Sequence, residues 1–315
     1  MIYVLENDYL KAYISDLGAT LTKLIDKKTN TDIVLGFDSD EDYIKYGGTN
    51  IGASIGRNAN RIGNGKFSLN GKTYELSVND NMNQLHGGGM NGFAFKRWQK
   101  RFETGQEIVL TYYSVDGEEG FPGNLNVEVS YKLEKNNLIW SYSGISDEDT
   151  ILNMTNHSYF CLGDDNILEQ ELKIHTDKYS PVDEYSLTLD EVVNVQGSAY
   201  DFTKFTKLKD NLSMLSCGID NNYVWENMNH KLMAELKNDK LQLNVYSDLP
   251  DMHLYTAYYL KGEKGKYDKT YDKYAALCLE CQFYPNSINY DNYIKPILKK
   301  DETMSHYIRY EVKNI

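Results

Sequence analysis

The chain holds 315 residues and sets 33 basic against 46 acidic side chains, a net charge of −13. That balance argues against a nucleic-acid partner, which needs a basic face, while 41% apolar residues suffice for a packed core and exclude global disorder. No run approaches the ~20 apolar residues that span a bilayer, and the start, with Glu6 and Asp8 close behind Met1, lacks the features of a secretory signal. Four cysteines are too few for a disulfide scaffold in a chain this long. Buried, reduced thiols in a cytoplasmic protein are expected.

In chain order, the first predicted element is a short helix over residues 39–46, opened by a Ser or Asp cap with acids in its first turn. Residues 67–69 and 72–76 flank Asn70-Gly71, a pair suited to the positive φ angles of a type I′ turn, and predict a hairpin. Strands follow over 108–114, 125–133, 138–145 and 171–179. In the second of these, Leu125, Val127, Val129, Tyr131 and Leu133 alternate with polar residues throughout. A second short helix is predicted over 210–215, then strands over 241–247, 274–284 and 307–312. The lysine-rich stretch 261–273 reads as a solvated hairpin tip.

A stock of 27 Tyr and 30 Asn fits strands and turns. Near-continuous strands with few helices imply an all-β fold, a large antiparallel sandwich or barrel. No repeat, low-complexity tract or linker divides residues 1–315, so a single domain is expected.

Three stretches set polar side chains among apolar ones. Gly56-Arg57-Asn58-Ala59-Asn60-Arg61 is followed by Leu85-His86 and three glycines, where backbone could approach a ligand closely. The ordinary alternative is a histidine capping a turn. Gly87, Gly89 and Gly92 match a dinucleotide-binding spacing, but no buried strand precedes them and no helix follows. His157 lies among Asn153, Asn156 and Ser158, able to fix its tautomer; a satisfied, half-buried imidazole is the alternative. Alternation places Leu277, Leu279 and Phe283 on one strand face, and Glu280, Gln282 and Tyr284 on the other. A carboxylate in so apolar a strand is either functional or turned to solvent. Cys278 and Cys281 form a C-x-x-C whose thiols point to opposite faces of a strand, which argues against zinc. Asp220, standing alone, reads as a turn acid.

Taken together, these stretches resemble the aldose 1-epimerase (galactose mutarotase) family. The resemblance runs in order through residues 56–62, Asn83 to Gly88, residues 114–123, Thr155 to Phe160, Pro181 to Asp183, residues 197–202, Gly218 to Asp220, and residues 280–289. It implies a β-sandwich of the mutarotase type whose cleft holds a free aldohexose. Glu280 would be the general base at the anomeric hydroxyl and His157 the general acid at the ring oxygen. Asn60, Arg61, His86 and Asp220 would hold sugar hydroxyls, with Tyr159 lining the pocket. His253 stands where the family usually has a sugar-binding Gln, and Asn221 where a His commonly follows the Asp. Residues 186–191 also depart from the usual pattern. Arg57 is read as structural. No cofactor or metal is implied, and a monomer or homodimer acting on a small aldose, away from nucleic acid and membrane, is expected.

Four rivals stay open at this point. A glycoside hydrolase needs two carboxylates about 5–9.5 Å apart, and Asp220 is a poor partner for Glu280. A sugar-binding module would keep Arg61, His86 and Asp220 without needing Glu280 as a base. A hexose-phosphate epimerase would want a basic cluster, and the chain has five Arg. A metalloenzyme built on His86, His157 and His253 lacks short-range ligand spacing. Epimerisation of another aldose or of a disaccharide is a variant of the first reading.

Overall fold

Backbone pairing follows the period-two pattern. In the computed structural model, which describes residues 1–225 and 227–315, the strand Leu125–Glu134 alternates more and less buried positions along its whole length. It is the third member of a nine-stranded sheet. The order is Gln99–Glu103, Glu107–Ser114, Leu125–Glu134, Asn137–Ser146, Thr303–Asn314, Leu241–Ser247, Lys231–Lys237, Glu171–Ile174 and Thr206–Lys207. Every pairing in it is antiparallel.

A six-stranded antiparallel sheet packs against it: Tyr159–Phe160, Leu277–Gln282, Asp251–Tyr255, Asp220–Val224, Lys178–Ser180 and Val193–Asn194. One apolar cluster joins Val127, Leu138 and Tyr310 of the larger sheet to Leu254, Leu279 and Cys281 of the smaller. The rings of Phe160 and Tyr310 lie 5.0 Å apart across the join. A four-stranded sheet, Ile2–Glu6 to Thr31–Asp32, adds Leu5, Ile14 and Leu24 to the same cluster. This is the expected antiparallel sandwich, stabilised by burying side chains that alternate along each strand.

Asn70 and Gly71 take φ +52° and +77° between Lys66–Leu69 and Lys72–Glu75, as a type I′ turn requires. The helix Asp40–Lys45 is capped by Ser39, whose hydroxyl accepts from the Asp42 N–H. The second helix is Leu208–Leu212, so Asp210 falls inside its first turn rather than at its start.

Two expectations need correction. The stretch 171–179 is not one strand. Glu171–Ile174 stays in the nine-stranded sheet and Lys178–Ser180 joins the six-stranded one, the chain changing sheets where Thr176 Oγ1 bonds the Val224 carbonyl. The hairpin at 261–273 exists, as Lys261–Lys264 with Thr270–Asp272, yet it is not simply solvated. Lys266 is buried, paired with Asp32 at 2.7 Å and donating to the Thr22 carbonyl. Tyr271 reaches the Gly36 carbonyl. These contacts strap the hairpin onto the four-stranded sheet.

Candidate active site

Five of the eight predicted site residues lie on the small sheet or on the segment that leads into it. Asp220, His253 and Glu280 stand on three adjacent strands, on faces that alternation turns the same way; His253 is directly opposite Glu280 and Asp220 opposite Tyr255. His157 and Tyr159 come from the segment entering the sheet edge. The His157 N–H donates to the Ala53 carbonyl, and its own carbonyl accepts from the Gly52 N–H. Asn60, Arg61 and His86 come from two loops joined by the short Arg61–Ile62 and Gln84–Leu85 pairing.

These side chains line one cavity of about 400 Å³, together with Tyr46, Tyr255, Tyr259, Lys261 and Glu263 at other points of its wall. Its size suits a small polar molecule. All eight predicted residues border it. His157 Nε2 and Glu280 Oε1 are 3.6 Å apart, at 5% and 1% exposure. The solvent-facing alternative for Glu280 is thereby excluded: its strand is buried on both faces.

The supporting contacts differ from the expected ones in instructive ways. Asn153 and Asn156 do not orient the His157 ring. Asn153 bonds the Ala59 carbonyl and the Phe283 N–H, and Asn156 the Gly52 carbonyl and the Tyr131 hydroxyl, so both pin backbone. The ring is instead stacked on Tyr159, centroids 5.2 Å apart, while the Tyr159 hydroxyl donates to the Thr49 carbonyl. The glycine after His86 serves a neighbouring loop rather than a ligand. Gly87 has φ +70°, and a Cβ there would sit 2.1 Å from the Gly56 carbonyl oxygen. Arg57 is structural, as read. It is buried and donates to Ser114, Val115 and Pro122 carbonyls. Arg61 is steered by Asp80, 2.6 Å from its Nε.

Asn221 turns away and donates to the Ser180 carbonyl. An imidazole for Asp220 arrives from the next strand, His253 Nε2 lying 2.7 Å from Asp220 Oδ1. Burial would raise Asp220, but the His253 bond and the charges of His253, Arg61 and His86 bring it to about 2. It is a fixed anion at neutral pH. Burial, with Asp220 adding to it against Arg61, pushes Glu280 well above the usual carboxylate range. Burial likewise holds His157 down at about 4 and His86 well below the ordinary histidine value.

Ligand-type atoms of His86, His157 and Glu280 come within 4.8 Å of one another, a spacing that a divalent cation could bridge. However, the Asn60 N–H donates to His86 Nδ1, which leaves the ring proton on Nε2. That tautomer gives a hydrogen bond to a hydroxyl oxygen and offers no lone pair at Nε2. His253, named in the metal reading, is engaged with Asp220.

Tyr255 and Tyr259 were missed in the sequence, although Tyr255 follows His253 at period two and could have been found by the alternation that placed Glu280. Lys261 and Glu263 carried no such signal, since they read as a solvated tip.

The family model for aldose 1-epimerase matches residues 1–311. The galactose mutarotase of Bos taurus is 36% identical, over 96% of this chain and 91% of its own length. The aldose 1-epimerase of Escherichia coli is 31% identical, over 95% and 90%. Among solved structures, an aldose epimerase homologue from C. elegans superposes with a TM-score of 0.93 at 27% identity, covering 100% of this chain and 99% of that one. A galactose 1-epimerase from Lactobacillus acidophilus gives 0.87 at 28%, over 99% and 93%. The chain belongs to the aldose 1-epimerase family.

Proposed function

We propose that Glu280 and His157 carry out anomer interconversion of free aldohexoses such as galactose and glucose, as base and acid in one buried site. The observation that carries this is the 3.6 Å approach of His157 Nε2 to Glu280 Oε1 inside a cavity ringed by hydroxyl partners. The anomeric hydroxyl and the ring oxygen of a pyranose share one carbon, so two groups this close can serve both together. Glu280 takes the proton of the anomeric hydroxyl and His157 gives one to the ring oxygen. The C1–O5 bond breaks as the C1 carbonyl forms, the C1–C2 bond rotates, and closure on the other carbonyl face returns both protons. No free alkoxide or oxocarbenium need form.

The proton count fits. Burial raises Glu280 and lowers His157, so in the empty site a proton shared by the pair is favoured on the carboxyl over the imidazole. Carboxylate plus imidazolium has the same count, so the working form needs a transfer within the pair and none from solvent. Sugar hydroxyls donating to Glu280 favour that transfer, as does the nearby Arg61 cation. Asp220 accepts from substrate hydroxyls, while Arg61, His86 and His253 border the same space and Asn60 shapes the loop beside them. The substrate choice is supported by the relatives named galactose mutarotase. A cytoplasmic setting is supported by four free cysteines, three of them buried.

Polarimetry on freshly dissolved α-D-galactose or α-D-glucose tests the reading. Glu280→Gln and His157→Asn should each lower kcat by at least ~10²-fold, the usual worth of a positioned proton-transfer group. A variant that keeps most of the activity removes its residue from the role.

A further inference from the structure

On the face of the small sheet that carries Glu280, a wholly buried polar strip continues beyond the cavity. Ser180, Asn222, His253 and Glu280 lie directly opposite one another across four strands, and Asp251 lies opposite Gln282 in the adjoining row. Asn222 and Gln282 are both 0% exposed; the Asn222 amide is engaged by the Asp251 carboxyl, whereas neither the oxygen nor the nitrogen of the Gln282 amide has a hydrogen-bond partner. His253 Nδ1 and Glu280 Oε2 are equally unpartnered. Buried amides and carboxylates are expensive without partners, and those left without a protein partner take ordered water. Gln282 is the nearest of them to the base along the chain. It follows Glu280 by two on one strand, roughly 6–7 Å along and on the same face, a gap that one bridging water spans.

We infer that Gln282, with Asn222 completing the strip, is a positioning residue of the base. Its amide donates through ordered water to Glu280 Oε2 from the side away from the sugar, orienting the carboxyl group and stabilising its ionised form. The inference rests on Glu280 being the base. Donors aimed at a carboxylate favour the charged form, which the productive carboxylate–imidazolium arrangement needs. Other groups facing Glu280 are His86 and His157, Asp220 and Arg61, His253, Cys278 and Tyr159. Of these, Arg61 alone carries a permanent positive charge, and Asp220 opposes it.

The test uses Gln282→Met, matched in length, and Asn222→Leu, matched in shape. Glu280 is titrated by its infrared carboxyl band, with Glu280→Gln as blank, and kcat is read by polarimetry. For Gln282→Met we expect a titration midpoint about one pH unit higher and kcat about tenfold lower at pH 7, with the smaller change of the same sign in Asn222→Leu. A role confined to packing would lower the thermal midpoint and leave the Glu280 titration where it is, and that result overturns the inference. If neither variant folds, a crystal structure of the unaltered protein decides. An ordered water shared by Glu280 Oε2 and Gln282 supports the inference, and a strip without one overturns it. Should Glu280→Gln itself stay active, the base assignment fails; should it be inactive while Gln282→Met is unchanged, only the present inference fails.

Discussion

Burial drives Glu280 and His157 in opposite directions, and the rate profile should record the separation. A second proton enters the pair only near the His157 value of about 4, and the last leaves only well above the ordinary carboxylate range. The acidic limb of kcat/KM is therefore expected near pH 4 rather than near the usual histidine value of ~6.5. Measured anomerisation rates, corrected for the spontaneous reaction at each pH, check this. A limb near 6.5 would mean an imidazole more solvated than the 5% exposure of His157 allows. At this scale the residue types were legible and the surroundings were not. Period two placed Glu280, Gln282 and Tyr284 on one face, but no pattern in residues 277–284 says that both faces are covered. Nor does any local signal bring His253 from its own strand to stand in for the imidazole that Asn221 replaces.

The strand Asp251–Tyr255 shows the same dependence on neighbours one level up. Its first residue, Asp251, is 3% exposed, accepts from the Trp225 N–H, and is raised by burial to about 7. Unfolded, it titrates near ~3.9. Between those values the folded chain holds a proton that the unfolded chain has released, so this group's contribution to stability is full below ~3.9 and is lost as pH rises through about 7. Asn keeps the acceptor and carries no charge. Asp251→Asn should match the native protein at pH 4 and exceed it by about 2–4 kcal/mol at pH 8 in urea denaturation. Equal stabilities at pH 8 would mean that Asp251 is charged at little cost in the fold. Strand identities such as Leu241–Ser247 were readable from their own residues, and so was the Asn70-Gly71 turn. The change of sheet between Glu171–Ile174 and Lys178–Ser180 was not, because both halves keep strand character and only their partners differ. The buried Lys266 was hidden for a related reason: a lysine reads as solvated until its partner, Asp32 in a distant strand, is known.

At the scale of the whole molecule, sheet order is the feature least visible in the chain. All-β class and antiparallel layering follow from alternation, but alternation is silent on which strand lies beside which. Thr303–Asn314, the last strand, sits in the middle of the nine-stranded sheet, paired on one side with Asn137–Ser146 and on the other with Leu241–Ser247. Its Ile308, Tyr310 and Val312 belong to the central cluster. Deleting residues 303–315 should therefore abolish the cooperative unfolding transition followed by far-ultraviolet circular dichroism. Retention of that transition would show that the two halves of the sheet hold without their joining strand. On the ribosome the same placement imposes a wait. Asn137–Ser146 emerges on the order of ten seconds before its partner at ordinary elongation rates, presenting an unmated β edge throughout. A nascent polypeptide of this kind needs shelter from its neighbours until Thr303–Asn314 has emerged, and synthesis that stops before that strand leaves an aggregation-prone product.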